Sequence, residues 1–465
     1  MLFKESVLVS IILTALEFVD VIVELPYNHK SLRVNYMEIQ SVKGTRDFYP
    51  EDMAKRNFIA DLWKQVSLRN GFAEYDGPIF EYLAMYQLKS GDEISSQLFA
   101  FEDRGGRMLA IRPEITPTLA RMINQRINTL PRPLKWFSVP RLCRAERPQK
   151  GRLREFFQWN IDIIGVDDCL ADAEVIFCAV DYLLQTGLTA DDVVVKISSR
   201  KLIAAMLEYF GIEKEQLEKV YTVLDKKNKI PAETFEKMLE ETIADKAKRQ
   251  KVIKFMAVES LEQLEDFAGA DKNAKEAIEE LNRLFNYLYI MEVTELCRFD
   301  ISIVRGLAYY TGIVFEIYDK SEQLRAICGG GRYDNLLADF GGPKIGATGF
   351  GMGDCVLGIV LEERGLFGNL MQENSPEYFV AFAEDSLQNE AIKLIARLRR
   401  ASVRADFSYK GGTLSKQLKQ ASDSGAARCI IIGKELTQAG ELIIKDMNKG
   451  TQQTVGLREF LDRLG

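Results

Sequence analysis

Between residues 200 and 290 the chain becomes rich in Glu, Lys and Leu. Segments such as ESLEQLEDF (259–267) and AKEAIEELNRLF (274–285) repeat their apolar positions at helical spacing. Strand-like patterns lie on both sides of this block, at 134–140 and 156–164 before it and at 300–304 and 312–317 after it. A helical block between strand-bearing segments reads as an insertion into a sheet-based domain. Upstream, 51–70 has helical spacing through Phe58, Leu62 and Val66 and stops at Asn70-Gly71. Residues 366–376 (LFGNLMQENSP) read as a linker. After it strands at 378–383, 402–408, 429–432 and 442–446 alternate with helices at 386–400, 413–424 and 456–464, the pattern of a small α/β domain. Residues 1–36 hold an apolar run from Val7 to Leu16, but Glu17, Asp20 and Glu24 interrupt the residues after it. That stretch is too short for a membrane span and lacks the charges and cleavage site of a signal peptide. It reads as an upstream extension with Met37 as the start, and no role is assigned to it.

Composition narrows the chemistry. The 465 residues, 47% apolar and 28% charged, suit two or three globular domains. A net charge of −7 means that any nucleic-acid surface must be a local patch. Residues 377–465 hold 14 Lys and Arg against 11 Asp and Glu, a net of +3 within that acidic chain. The single histidine, His29, lies outside every patterned segment, which removes Ser-His-Asp and Cys-His dyads and His-ligated zinc. The seven cysteines form no Cys-x-x-Cys pair and suit a reducing compartment, hence a cytoplasmic protein.

Five strings stand out. From Arg132 to Arg154, eight of 23 residues are Arg or Lys and Glu146 is the one acid. The turn Pro148-Gln149-Lys150-Gly151 could close over a polyphosphate, with planar guanidinium groups taking phosphate oxygens, or be a solvated basic face. There is no P-loop and no strand-to-helix GxGxxG. In SIVRGLAYYTGIVFEI (302–317), Gly306 would allow close backbone approach and Tyr309 and Tyr310 would offer hydroxyls to a pocket; packed core tyrosines are the plainer reading. The glycine clusters of CGGGRYDNL (328–336) and GATGFGMGD (346–354) read as turns or bulges, or as a floor on which a flat nucleotide lies against backbone. In LAIRPEITPTLAR (109–121), Glu114 and Thr116 follow an Arg-Pro break, where the carboxylate could receive an ammonium group or cap a helix.

Taken in order, KGTRDF (43–48), RPEITP (112–117), CRAERPQKGRLREFFQ (143–158), RGLAYYTGIVFE (305–316) and GGGRYD (329–334) resemble histidyl-tRNA synthetase, a class II aminoacyl-tRNA synthetase. The resemblance runs from about residue 37 to 465. It implies an α+β fold: a class II catalytic domain (37–365) with an antiparallel sheet flanked by helices and the helical insertion at about 200–290, then the linker and a C-terminal α/β anticodon-binding domain (377–465). It also implies two-step ligation of L-histidine to tRNA(His) through histidyl-adenylate, with ATP and Mg²⁺ arriving together, in a homodimer without membrane association. Pro78 of EYDGPIFEY resembles the interface proline. The roles implied are Arg144 on the α-phosphate and the amino-acid carboxylate, Arg152 on the outer phosphates, and Arg305 on charge developing at the α-phosphorus. Phe156 would stack on adenine and Arg332 would join the ATP-binding set. Glu114, Thr116 and Gln158 would hold the α-ammonium of histidine, and Asp162 and Tyr310, with Tyr309, would bracket the imidazole. No protein metal site is implied.

Two positions depart from the commonest pattern. Ala308 stands where many members have Asp, and Val356 where class II enzymes carry an arginine over the second face of adenine. A lost cation–π contact costs about 0.5–2 kcal/mol, which weakens ATP binding without removing the chemistry. The competing reading is a histidine-sensing regulatory subunit of ATP phosphoribosyltransferase built on the same fold. Such chains lack the C-terminal domain and have degraded phosphate-binding residues, whereas both are present here.

Overall fold

The computed structural model describes residues 40–88, 97–227, 229–269, 271–305, 309–321, 323–368, 370 and 375–464. The extension at 1–36, the start at Met37 and Ala308 therefore lie outside the described residues. By its internal contacts the chain divides into Met1–Asp47 and Phe48–Gly465. In the first unit Thr45 closes a turn onto the Val42 carbonyl through both its amide, at 2.9 Å, and its hydroxyl, at 2.7 Å.

In the second unit the strands are β1 (Ala73–Glu74), β2 (Phe80–Tyr82), β3 (Phe99–Glu102), β4 (Met108–Ile111), β5 (Leu134–Ser138), β6 (Arg141–Cys143), β7 (Glu155–Ile164), β8 (Val193–Ser199), β9 (Cys297–Phe299), β10 (Ile313–Asp319), β11 (Cys328–Arg332) and β12 (Ala347–Gly353). Then come β13 (Tyr378–Phe382), β14 (Ala405–Phe407), β15 (Arg428–Ile432), β16 (Glu441–Asp446) and β17 (Gln452–Gly456). The main sheet has the order β1-β5-β7-β12-β11-β10-β8-β9, with β6 also paired to β7. Its inner pairs, from β5 to β8, are all antiparallel; the pairs β1–β5 and β8–β9 at its ends are parallel. The second sheet, β14-β13-β15-β16-β17, is mixed. The third, β2-β4-β3, is a small antiparallel sheet.

The period of two along β7 shows how the sequence builds the core and the site together. Phe157, Trp159, Ile161 and Ile163 face the helices: Trp63 of the helix Pro50–Arg69 stacks on Trp159 with ring centres 6.2 Å apart, and the Trp159 indole donates to the Ser67 hydroxyl at 2.8 Å. Phe156, Gln158, Asn160 and Asp162 point the other way. The insertion consists of helices Arg200–Tyr209, Leu217–Leu224, Ala232–Thr242, Lys246–Phe255, Leu261–Ala268 and Lys272–Ile290. The last of these buries Ala274, Ala277, Ile278, Leu281, Leu284 and Leu288, the stripe expected of an amphipathic helix.

The structure corrects some sequence-based expectations. Residues 300–304 form a turn, not a strand, because the Asp300 carboxylate takes hydrogen bonds from the Ser302 amide at 2.9 Å and its hydroxyl at 2.5 Å. The strand beside β8 is instead β9, just upstream. At the C-terminus the helix Leu457–Asp462 begins only after strand β17, which the alternation at 442–464 did not reveal.

Candidate active site

A cavity of about 990 Å³ opens over the face of the main sheet that Phe156, Gln158, Asn160 and Asp162 present. Residues directly opposite in antiparallel strands share a face. One row runs Asn160, Gly351, Gly329, Glu316, Lys196 across β7, β12, β11, β10 and β8, and all five line the cavity.

The glycines in this row sit in mid-strand and are neither turns nor bulges. A side-chain carbon on Gly329 would land on the Arg305 guanidinium, one on Gly349 would meet Asp162, and one on Gly351 would come within 2.7 Å of the Gln158 amide carbon. The glycine floor makes room for these three neighbouring side chains. Arg305 has a left-handed backbone, φ 62°, which is uncommon for a residue with a β-carbon. Its guanidinium pairs with Glu316 and lies 5.5 Å from the Tyr310 ring centre. Burial opposes the Arg305 charge, but Tyr310 and Glu316 more than offset that and hold it protonated. Burial likewise pushes Glu316 up, yet Arg305 and then Lys229 bring it below the usual carboxylate range. Tyr318 donates to the second oxygen of Glu316.

At the β7 end, Arg144 donates to the Pro113 carbonyl at 3.0 Å, and its guanidinium stands 5.1 Å from the Phe156 ring centre. The turn Gln149–Arg152 folds over the cavity edge with Gly151 at φ 73°; Arg152 pairs with Glu146, and Lys150 with Glu363 at 3.1 Å. A β-carbon on Gly151 would come within 2.9 Å of Val356, so the turn rests on that side chain.

Deeper in, Asp162 is 3% exposed. The Tyr333 hydroxyl donates to one of its oxygens, and the other has no hydrogen-bond partner among the described residues. Burial pushes its carboxyl up to about 7, against the lowering effect of the Tyr333 hydrogen bond. Tyr309 packs tilted against Tyr310 and edge-on against Tyr333, at 4.8 and 5.8 Å between ring centres, and Glu114 is buried beside this cluster.

The cavity thus gathers Arg144, Arg305, Glu114, Thr116, Gln158, Asp162, Tyr309, Tyr310, Arg152 and Phe156. It does not include Arg332, which the sequence placed with ATP. The Arg332 guanidinium is buried beneath the sheet, bonded to Asp172 at 2.6 and 2.9 Å and to the carbonyls of Val166 and Asp168 at 2.9 and 3.1 Å. Sequence reasoning assigned no role to Asn160, Tyr333, Glu316 or Lys196. The alternation along β7 could have found Asn160; the cross-strand register that brings in Glu316 and Lys196 has no local signal.

Comparison with known proteins agrees with this geometry. The family model described as histidyl-tRNA synthetase matches residues 44–353, and that of the anticodon binding domain matches residues 371–465. The chain is 40% identical to the chloroplastic/mitochondrial histidine–tRNA ligase of Arabidopsis thaliana, covering 93% of this chain and 87% of that protein. It is 37% identical to the histidine–tRNA ligase of Pyrococcus horikoshii, covering 92% and 98%. The histidyl-tRNA synthetase structure from Nostoc sp. PCC 7120 superposes with a TM-score of 0.77 over 92% of this chain and 99% of that one, at 23% identity. An ATP phosphoribosyltransferase regulatory subunit/histidyl-tRNA synthetase from Bacillus halodurans shares the fold at a TM-score of 0.72, 24% identity, over 85% of this chain and 99% of that one. With two sequence families matched in order, and relatives well above 30% identity over most of both chains, this chain belongs to the histidyl-tRNA synthetase family.

Proposed function

We propose that this protein ligates L-histidine to tRNA(His) in two steps. The observation that carries the reading is one sheet face joining a buried, half-satisfied carboxylate to three arginines. In the first step a carboxylate oxygen of histidine attacks the α-phosphorus of ATP, forming histidyl-adenylate as the bond to pyrophosphate breaks. In the second, a terminal ribose hydroxyl of the tRNA attacks the histidyl carbonyl and AMP leaves. Neither step needs a protein nucleophile; both need positioning and positive charge at fixed places.

Arg144 and Arg305 bracket the α-phosphate, and Arg152 leaves Glu146 to take the outer phosphates. Glu316 holds Arg305 aligned over the glycine floor. Phe156 stacks on adenine, with the apolar Val356 on the other side in place of a cation. Glu114, Thr116 and Gln158 receive the α-ammonium. The free oxygen of Asp162 accepts one imidazole N–H, and Tyr310 serves the other nitrogen, so side chains without that pair leave buried polar groups unpaired. Mg²⁺ enters on the phosphates of ATP. Of the acids on the cavity wall, Glu146 and Glu316 are already engaged by arginines, which suits a metal carried by the substrate.

The exposed apolar side chains Ile79, Phe80, Tyr82, Phe101 and Met108 cluster on the small β2-β4-β3 sheet beside Pro78, which supports a homodimer through that sheet. Among the described residues no helix is long and apolar enough to cross a membrane, and the cysteine pattern supports a cytoplasmic setting. Charging of a tRNA(His) transcript tests the reading against the regulatory-subunit alternative. Histidylation dependent on ATP supports it; no charging, with stimulation of an ATP phosphoribosyltransferase, replaces it.

A further inference from the structure

The cavity floor crosses five strands, so at about 4.8 Å per strand β7 and β8 lie roughly 19 Å apart. Groups assigned above to ATP and histidine occupy the β7 end and reach the middle, where Arg305 lies over Gly329. The far end is walled by cations from three separate elements: Lys196 on β8, Lys226 and Lys229 after the insertion helix Leu217–Leu224, and Arg325 between β10 and β11. Among the described residues lining that side, the acids are already taken. Asp225 pairs with Lys229 at 2.7 Å, and Glu316 with Arg305. Lys196 pairs with Asp300 at 3.4 Å.

Lys226 and Arg325 have no hydrogen bond or ion pair from their side chains to any described residue, and Lys226 is half-buried. The next lysine shows the alternative: Lys227 turns into the insertion, where its amino group donates to the Met256 carbonyl and burial lowers its pKa. Arg325 is exposed, and with no acid paired to either side chain among the described residues the two leave positive charge at this end of the cavity that a phosphate would complement.

We propose that Lys226 and Arg325, flanked by Lys196 and Lys229, bind backbone phosphates of the 3′-terminal nucleotides of the tRNA. This rests on the ligase reading above and names where its second substrate enters. Adenine on Phe156 fills the β7 side of the α-phosphate, so the ribose hydroxyl approaches the adenylate from the β8 side, past Arg305. The insertion then forms one wall of that approach. Pyrophosphate is the other phosphate source that could use these cations, and the two assay arms separate them.

The test is the double variant Lys226→Ala, Arg325→Ala, with Lys226→Arg as the conservative control. Histidine-dependent ATP–pyrophosphate exchange without tRNA is expected to stay within about twofold of the parent. In tRNA charging the KM for tRNA should rise about tenfold, the size of a lost charge-assisted contact to a partly exposed group. The salt dependence of kcat/KM should become shallower by roughly 1.4, about 0.7 for each phosphate contact to a single strand. Lys226→Arg should keep the parental tRNA KM. Loss of exchange in the double variant would overturn the proposal and assign the wall to ATP or pyrophosphate. An unchanged tRNA KM and salt slope would overturn it too. Exchange absent from the parent itself would instead remove the ligase reading.

Discussion

Asp162 gives the site a measurable signature in the ligand-free protein. Burial raises its carboxyl from an ordinary 3.8 to about 7, so folding captures a proton that the unfolded chain has released. The stabilising effect of that proton is complete below pH 3.8, fades as the pH rises, and is gone once the pH passes about 7. Working from these two values, ionising Asp162 costs the native state roughly 2–3 kcal/mol more at pH 8 than at pH 5. Asp162→Asn keeps the shape and a partner for the Tyr333 hydroxyl but has no proton to lose. Asp172, which burial raises to about 6 despite Arg332, titrates in both proteins and cancels in the comparison. Urea unfolding at pH 5 and pH 8 should therefore show the parent losing roughly 2–3 kcal/mol more than Asp162→Asn. The variant is the more stable protein at pH 8 while failing to bind histidine. Parallel pH dependences in the two proteins would refute a neutral, buried Asp162 in the empty pocket.

Other parts of the site give three further expected outcomes. Gly329→Ala places a methyl group on the Arg305 guanidinium, and kcat for adenylation should fall at least about a hundredfold, read by pyrophosphate exchange, with far-UV circular dichroism unchanged. Arg332→Ala leaves Asp172 buried and unpaired and should cost about 3–5 kcal/mol in denaturant unfolding, while the KM for ATP of the folded fraction stays at its parental value. Val356→Arg should raise the KM for ATP rather than lower it, in steady-state exchange kinetics, because the turn at Gly151 already rests on Val356 and a longer side chain displaces Arg152 with it.

Much of the fold and the site was legible in the sequence because it is local. The alternation in FFQWNIDII sets four side chains toward the cavity and four toward the core, and the helical stripe in 274–288 marks the insertion. The arginines of 141–154 lie in one continuous stretch, so their clustering needed no tertiary knowledge. What failed was long-range. Arg332 and Tyr333 are neighbours in sequence, yet Arg332 is drawn under the sheet to Asp172, 160 residues away, while Tyr333 reaches Asp162, 171 residues away. The glycines of β11 left turns or bulges and a flat floor both open, because the atoms that need their space, on Arg305 and across the sheet, belong to other strands and loops. Lys226 lies in the block whose sequence marks it only as a helical insertion, and nothing local shows that it reaches the cavity.

The most direct measurement of the central assignment is ATP–pyrophosphate exchange on the purified protein, with each of the twenty amino acids supplied separately. Exchange with histidine alone is expected, because the unpaired oxygen of Asp162 and the surrounding tyrosines are matched to an imidazole and left unpaired by any other side chain. Exchange with a different amino acid, or with none in a protein that still binds histidine, would contradict it.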